Sequence, residues 1–165
     1  MRSILENSKN NVIPCWKDIE ALELYLDMET LRWDKSILYN ITIDPQVRSG
    51  DFKIPPMLIQ PFVENAIFHG LLNKKENDKK LDIAVNLEGD DIKYTIIDNG
   101  VGRMRANEYK KINRAPSYGI QITRERVELF NHGNGRSVVI TDLYNDTKEP
   151  AGTKVEVWLS TLQQI

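Results

Sequence analysis

The sequence is poor in the residues that mark several common classes of protein. Its 165 residues include a single cysteine, Cys15. One cysteine cannot form an internal disulfide, so a reducing compartment is the expected environment. No apolar run reaches the length of a membrane span, and we expect no signal peptide at the N-terminus. Acidic and basic residues are interspersed and give a formal net charge of −2, so the basic stripe of a nucleic-acid-binding protein is absent.

The remaining composition is that of an ordinary globular protein. Hydrophobic residues make up 41% of the chain and charged residues 28%. The length suits one domain, with room for a short appendage. We therefore expect a single hydrophobic core.

Hydrophobic periodicity predicts an α/β protein. Helical spacing is found at residues 15–33, 58–69 and 118–132, and alternation at 36–43, 81–87, 92–97, 137–143 and 152–159. Gly89 lies in a predicted hairpin turn between the second and third strands. Five strands and about three helices predict a two-layer α/β sandwich with a mixed five-stranded sheet.

The first predicted helix carries two apolar stripes. The first stripe consists of Cys15, Ile19, Leu22 and Leu26, and the second stripe consists of Leu24, Met28 and Leu31. Two stripes indicate two surfaces to cover, one in the helix's own domain and one on a partner helix. A single wide helix that faces one core is an equally good interpretation.

The second predicted helix places an amide on an apolar face. Pro55 and Pro56 precede it and suit a first helical turn, Pro61 should kink it or start it anew, and Gly70 suits its end. Helical spacing aligns Asn65 with Leu58, Phe62 and His69. A buried amide is costly unless it is hydrogen-bonded or binds a ligand. Asn65 is therefore either a satisfied core residue or a ligand for a metal ion.

A carboxylate stands at the end of the third predicted strand. Asp98 is followed by Gly100 and Gly102, so main chain can approach a ligand closely while the carboxylate accepts a hydrogen bond from an amine. The alternative is a plain hairpin turn at Asn99-Gly100. That alternative is weakened because no alternating strand follows Gly102.

A basic segment then leads into the last predicted helix. Residues 103–116 have no sustained period, which predicts a long loop of the kind that often forms a lid. Ser117-Tyr118-Gly119 precedes the helix and suits a bound phosphate, because backbone N–H groups are exposed there. The alternative is an ordinary N-cap at Ser117.

Taken together, these motifs resemble the nucleotide-binding boxes of the Bergerat-fold ATPases and kinases. The closest resemblance is to the LytS/YehU-like sensor histidine kinases. Their Glu-Asn-Ala-x-x-His-Gly box is similar to Glu64–Gly70, and their Asp-Asn-Gly-x-Gly box is similar to Asp98–Gly102. Arg124–Leu129 is similar to their Arg-Glu-Arg-x-Glu-Leu helix, Gly152–Val155 to their Gly-Thr-x-Val strand, and Ile19–Arg32 to their linker helix.

This resemblance implies a catalytic domain that binds ATP and Mg²⁺. Asn65 would bind the metal, Asp98 would accept from the adenine amino group, and Thr153 would form the back of the adenine site. The implied catalytic residues are Asn65 and Glu64, and the implied nucleotide-binding residues are Asn65, His69, Asp98, Gly100, Gly102, Ser117, Tyr118, Gly119 and Thr153. Residues 1–35 would be the last part of a dimerisation and linker helix region, and residues 36–165 would form the ATP-binding domain.

The resemblance has three departures. Ser117 replaces a glycine, Phe68 stands where a lysine is frequent, and the upstream box with the phosphoacceptor histidine is absent. Because that box is absent, we expect phosphoryl transfer to a histidine outside this chain. The resemblance also implies a response regulator as partner and a homodimeric parent protein in the bacterial inner membrane. This domain would lie in the cytoplasm. The alternatives are an ATP-hydrolysing switch and a binding or dimerisation module without catalysis.

Overall fold

The computed structural model describes residues 11–106, 118–133 and 135–161, with Tyr118 described by its backbone alone. The strands are β1 (Ile13–Pro14), β2 (Ile37–Ile43), β3 (Lys53–Ile54), β4 (Lys79–Glu88), β5 (Asp91–Asp98), β6 (Val138–Tyr144) and β7 (Pro150–Ser160). The helices are α1 (Cys15–Arg32), α2 (Pro45–Ser49), α3 (Gln60–Asn65) and α4 (Tyr118–Phe130), and a π-helical segment (Ala66–Leu71) continues α3. None of the described helices is long and apolar enough to cross a membrane.

Five strands form one mixed sheet in the order β2-β4-β5-β7-β6. The β2–β4 pair is parallel and the other pairs are antiparallel. Strand residues of β4 and β5 alternate between buried and more exposed positions, so the helices cover one face of the sheet. The predicted α/β sandwich with a mixed five-stranded sheet is confirmed.

Two short elements are absent from the sequence-based prediction. Strands β1 and β3 form a separate two-stranded sheet. Helix α2 follows β2, and the Asp44 side chain caps it by accepting a hydrogen bond from the Gln46 N–H at 2.8 Å. Both elements are too short to show a hydrophobic period, which is why the sequence pattern did not indicate them.

The two stripes of α1 have different environments. Every residue of the first stripe belongs to the core and is at most 4% exposed. In the second stripe, Leu24 is 66%, Met28 71% and Leu31 64% exposed. The interpretation of α1 as a single wide helix facing one core is therefore wrong, because the second stripe points away from the domain.

Helix α3 begins later in the chain than the positions of Pro55 and Pro56 predicted. Pro55 and Pro56 precede α3, with Pro55 outside any regular element and Pro56 in a turn, and Pro61 lies in the first turn of the helix. Pro61 therefore starts the helix anew, which was one of the two predicted effects. Gly70 was predicted to end the helix but lies inside the π-helical segment. Residues 102–106 are helical, whereas a loop was predicted from Arg103 onward.

The helix α4 and the predicted hairpin agree with the sequence pattern. Thr123 and Val127 of α4 are buried on the predicted face, and Gly133 ends the helix with φ +70°. Gly89 adopts φ +63° in a two-residue turn between β4 and β5. These are positions where a left-handed backbone favours glycine.

The contrast between the stripes of α1 predicts opposite results for two Leu→Ala substitutions. Leu26 is 0% exposed, so Leu26→Ala should lower the free energy of unfolding by about 2–5 kcal/mol through a lost apolar contact and a cavity. Leu24 is 66% exposed, so Leu24→Ala should change the free energy of unfolding by no more than about 0.5 kcal/mol. Urea unfolding of the two variants checks this, and similar losses for both would contradict the assignment of the stripes.

Candidate functional site

The site is centred on a buried carboxylate at the end of β5. Asp98 is 4% exposed, and its Oδ1 accepts a hydrogen bond from the Gly100 N–H at 2.9 Å. Burial raises the pKa of Asp98 to about 6, although the bond from Gly100 opposes this rise. Asp98 therefore loses its proton near neutral pH and then presents a poorly solvated negative charge.

Main chain from the π-helical segment packs directly against this carboxylate. A Cβ atom on Gly70 would lie 2.8 Å from Asp98 Oδ1, and a Cβ atom on Gly100 would lie 2.3 Å from the carbonyl carbon of Gly70. The Val101 N–H also donates to the Gly70 carbonyl oxygen at 3.3 Å. Gly70 thus lies at the site, although the sequence analysis gave it only the end of a helix and the last position of the Glu64–Gly70 box. The sequence does contain one signal for this role, because a glycine inside a helical pattern often has a packing or functional reason.

The start of the last strand closes the opposite side of Asp98. Thr153 of β7 lies opposite Asp98 in the antiparallel register. A Cβ atom on Gly152 would lie 2.0 Å from the Asp98 carbonyl oxygen, and Gly152 has φ +126°. Asp98 and Thr153, which were both predicted for the adenine site, are therefore opposite one another on β5 and β7. The close approach of these strands requires glycine at position 152.

The Asn65 segment belongs to the same structure. Asn65 is the last residue of α3 and is half-buried, as is His69 in the π-helical segment. Glu64 Oε1 accepts a hydrogen bond from Gln60 Nε2 at 2.9 Å. A π-helical turn is wider than an α-helix and is frequent at functional sites. Because Gly70 ends up against Asp98, this turn connects the amide of Asn65 to the carboxylate at the end of β5.

Comparisons with known proteins find sensor kinases. Over 101 residues the chain is 35% identical to the sensor protein LytS of Staphylococcus epidermidis, a match that covers 61% of this chain and 17% of that protein. The sensor histidine kinase/phosphatase LytS of Staphylococcus aureus is 33% identical over 102 residues, again 61% of this chain and 17% of that protein. The chain thus spans about one sixth of the length of these curated relatives. No family model matches it.

Solved structures give the same result for the fold. The catalytic domain of the histidine kinase ThkA matches with a TM-score of 0.60 at 13% identity, covering 92% of this chain and 96% of that domain. The mycobacterial sensor histidine kinase MprB matches with a TM-score of 0.57 at 14% identity, covering 91% of this chain and 96% of that structure. The chain has the fold of a histidine kinase catalytic domain, and its sequence is LytS-like.

In this LytS-like domain, the helix α4 flanks α3. Gly119 lies in the first turn of α4 and is exposed, and its carbonyl oxygen accepts from Thr123 Oγ1 at 2.8 Å. The Tyr118 backbone begins the helix, as the sequence predicted. Ser117 and most of the predicted lid lie outside the described residues, so the proposed N-cap and phosphate contacts there stay predictions.

The residues next to Asp98 have structural partners of their own. The Asn99 side chain accepts from the Lys80 N–H at 2.7 Å and donates to the Asp78 carbonyl oxygen at 2.6 Å. A helix starts at Gly102, so the alternative of a hairpin turn at Asn99-Gly100 is wrong. Gly102 has φ +79°, and a Cβ atom there would lie 3.0 Å from Pro150 Cβ.

Arg103 has a different environment from the one predicted for a lid residue. Its guanidinium forms two hydrogen bonds to the Asp142 carboxylate of β6, at 2.7 and 2.8 Å. This pair holds the pKa of Asp142 below its usual range. Arg103 therefore anchors the start of the basic segment to the sheet.

The donor set of this site fits a nucleotide with its metal ion. An ionised Asp98 can accept from an exocyclic amine, and glycine main chain from positions 70 and 100 packs close to its carboxylate. The Asn65 amide supplies an oxygen of the hard kind that Mg²⁺ prefers. The fit rests on this chemistry and on the close packing of Gly70 and Gly100.

The close approach of Gly100 to Gly70 predicts a large difference between two glycine substitutions. Gly100→Ala should lower the melting temperature by at least about 4 °C and detach the Gly70 main chain, because its Cβ would overlap backbone that cannot move aside. Gly119→Ala should leave the melting temperature unchanged or raise it, because a Cβ there meets no described residue within 4 Å. Calorimetry on both variants decides this, and a tolerated Gly100→Ala would contradict the packing.

Proposed function

We propose that this chain is the ATP-binding catalytic domain of a sensor histidine kinase, which transfers the γ-phosphoryl group of ATP to a histidine outside the chain. The single observation that carries the proposal is the buried Asp98 carboxylate enclosed by the glycine main chain of two segments. Such an acceptor, in a site where backbone approaches closely, suits the amino group of adenine.

The residues would divide the work of binding and orienting ATP. Asp98 accepts from the adenine amine, Gly100 and Gly102 border the ring, and Thr153 lies behind it. Asn65 would hold Mg²⁺, and the ion would supply positive charge beside the phosphates. Glu64 and His69 border the same segment, and Ser117, Tyr118 and Gly119 are proposed to contact the phosphates through the start of α4.

A histidine outside the chain is proposed as the acceptor because the two histidines present are poorly placed. His69 belongs to the segment that forms the nucleotide wall. His132 follows α4, a helix of 13 residues that begins at the phosphate side, so it is about 20 Å from that end at 1.5 Å per residue. Phosphoryl transfer needs the attacking atom at about 3–3.5 Å.

ATP hydrolysis is the lesser alternative. Hydrolysing relatives of this fold would need a general base one helical turn before Asn65, and Pro61 occupies that position. Glu64 is adjacent to Asn65 but is rotated by about 100° on the helix, and Gln60 donates to its carboxylate. The other alternative, a binding or dimerisation module without catalysis, is tested by the binding and labelling experiments described below.

The wider setting follows from the LytS similarity and is proposed with it. The domain would act in the cytoplasm as part of a homodimeric sensor in the bacterial inner membrane and would signal to a response regulator. Residues 1–35 would belong to the linker and dimerisation region, and residues 36–165 to the nucleotide-binding domain.

Metal-dependent binding and phosphoryl transfer test the kinase proposal. The chain should bind ATP more tightly with Mg²⁺ than without it, and Asn65→Ala should remove most of that difference. Asn77→Ala, in an exposed loop, is the matched control and should bind like the parent chain. Isothermal titration calorimetry measures both.

Incubation with γ-labelled ATP then tests the transfer step. The chain alone should acquire no acid-labile label, whereas an added histidine-bearing segment from the dimerisation region of a LytS-type kinase should become labelled. Label on the chain alone would contradict the placement of the acceptor elsewhere. Absence of nucleotide binding would overturn the proposal as a whole.

The raised pKa of Asp98 predicts that binding and stability respond to pH in opposite directions. Below a pH of about 6, Asp98 becomes protonated, so ADP affinity should fall by about tenfold as the charge-assisted bond is lost. The folded state also binds this proton more tightly than the unfolded state, whose pKa is near 3.8. Asp98 therefore lowers stability above pH 6, and this loss is relieved as the pH falls toward 4.

Asp98→Asn separates the two effects. The variant should bind ADP at least about tenfold more weakly at pH 7.5, because an amide can donate where the site must accept. Its unfolding free energy at pH 7.5 should exceed that of the parent chain, and the pH dependence of ADP affinity near pH 6 should disappear. An unchanged ADP affinity for Asp98→Asn would rule out the adenine role.

A further inference from the structure

One peptide group between α1 and α3 is held from two sides. The Met57 N–H donates to Asp18 Oδ1 of α1 at 3.0 Å. The Pro56 carbonyl oxygen accepts from Arg126 Nη2 of α4 at 3.2 Å. The N–H and the carbonyl belong to the same peptide unit, Pro56–Met57. Since no cis peptide occurs in the described chain, the two groups point in opposite directions.

The Asp18 side of this contact is buried. Asp18 is 6% exposed, and burial raises the pKa of its carboxyl group, while the bond from the Met57 N–H opposes the rise. Removing a carboxylate from water is unfavourable unless it gains a partner. The Asp18 carboxylate accepts its hydrogen bond from the Met57 N–H, so the main chain of the Pro56–Met57 unit stabilises the buried charge.

The same peptide unit determines where α3 begins. Met57 adopts φ +57°, an uncommon left-handed conformation for a residue with a side chain. Leu58 and Ile59 follow and are both 0% exposed. The helix has no side-chain N-cap hydrogen bond of its own. Its start is therefore fixed by the buried pair Leu58-Ile59 and by the two bonds to the peptide unit before it.

We propose that Asp18 and Arg126 are positioning residues, which hold the Pro56–Met57 peptide and thereby set the position of the helix that carries Asn65. Helices α1 and α4 therefore both contact the peptide that precedes α3. The peptide dipole lies between a carboxylate on its N–H side and a guanidinium on its carbonyl side, so each bond polarises the peptide in favour of the other. The functional consequence, an effect on nucleotide affinity, rests on the proposed function.

This arrangement gives α1 a path to the nucleotide site. A shift of α1 moves Asp18, and the Met57 N–H then loses its acceptor or follows it. Asn65 lies eight residues after Met57 and is the last residue of α3, so a shift at the peptide that precedes α3 is carried through this short helix to the Asn65 amide. Arg126 connects the same peptide to α4, the helix that carries Gly119 in its first turn.

Amide hydrogen exchange without nucleotide tests the structural part. In Asp18→Ala, the Met57 amide should exchange on the order of tenfold faster, and amides from Phe62 to Asn65 should also lose protection. Asp18→Asn keeps an acceptor oxygen and should restore most of the protection. Glu20→Ala on the same helix and Glu128→Ala on α4 are exposed controls and should match the parent chain. Parent-like exchange at Met57 in Asp18→Ala would overturn the proposal.

Coupling between the two positions provides a second structural test. If both side chains act through one peptide, the effects of Asp18→Ala and Arg126→Ala on α3 protection should not add, and the double variant should lose less than the sum. Additive effects would show that the two contacts act independently and would contradict the junction.

ADP affinity tests the functional part. Asp18→Ala and Arg126→Ala should each weaken ADP binding by about three- to tenfold at a temperature where all variants are folded, with rescue in Asp18→Asn. If the parent chain binds no ADP, the proposed function fails while the exchange result still stands. If the parent chain binds ADP and the variants bind it equally well, the positioning role is wrong.

Discussion

The burial of the Asp98 carboxylate is the constraint on which the site depends. A charge that is 4% exposed is unfavourable without compensation, and here the Gly100 N–H supplies one hydrogen bond. The space around it is so tight that main chain itself forms the wall. Glycine is required at positions 70, 100 and 152, because a Cβ atom at any of them would overlap Asp98 or the backbone beside it. The carboxylate and the glycines therefore form one interdependent unit.

The sheet and the main helices could be predicted from the sequence because they depend on local periodicity. Alternation in β4 and β5 and the helical stripes of α1 and α4 reflect which side faces the core. Asn65 was identifiable because it is a polar residue on an otherwise apolar helix face. Asp98 was identifiable because it is a carboxylate directly at the end of an apolar strand. The register of β5 and β7 then places Thr153 opposite Asp98, which the order of motifs alone does not reveal.

The features that the sequence did not predict depend on contacts between distant residues. The π-helical segment at residues 66–71 places Gly70 against Asp98, which is 28 positions further along the chain. Arg103 looked like a mobile cation of a lid because its partner, Asp142, lies 39 residues away on β6. The Asp18 contact has the same character, because its partner amide is also 39 residues distant. No local pattern encodes such pairs.

The two faces of α1 explain why such a distant contact would matter. The first stripe fixes α1 in the core, so the helix cannot leave the domain without exposing that surface to water. The second stripe stays on the outside, where a partner can reach it. A force on that outer face acts on a helix that also carries Asp18, and the Pro56–Met57 peptide is held on its other side by Arg126 of α4. Small shifts of α1 therefore change the start of α3 rather than being absorbed by a flexible connection.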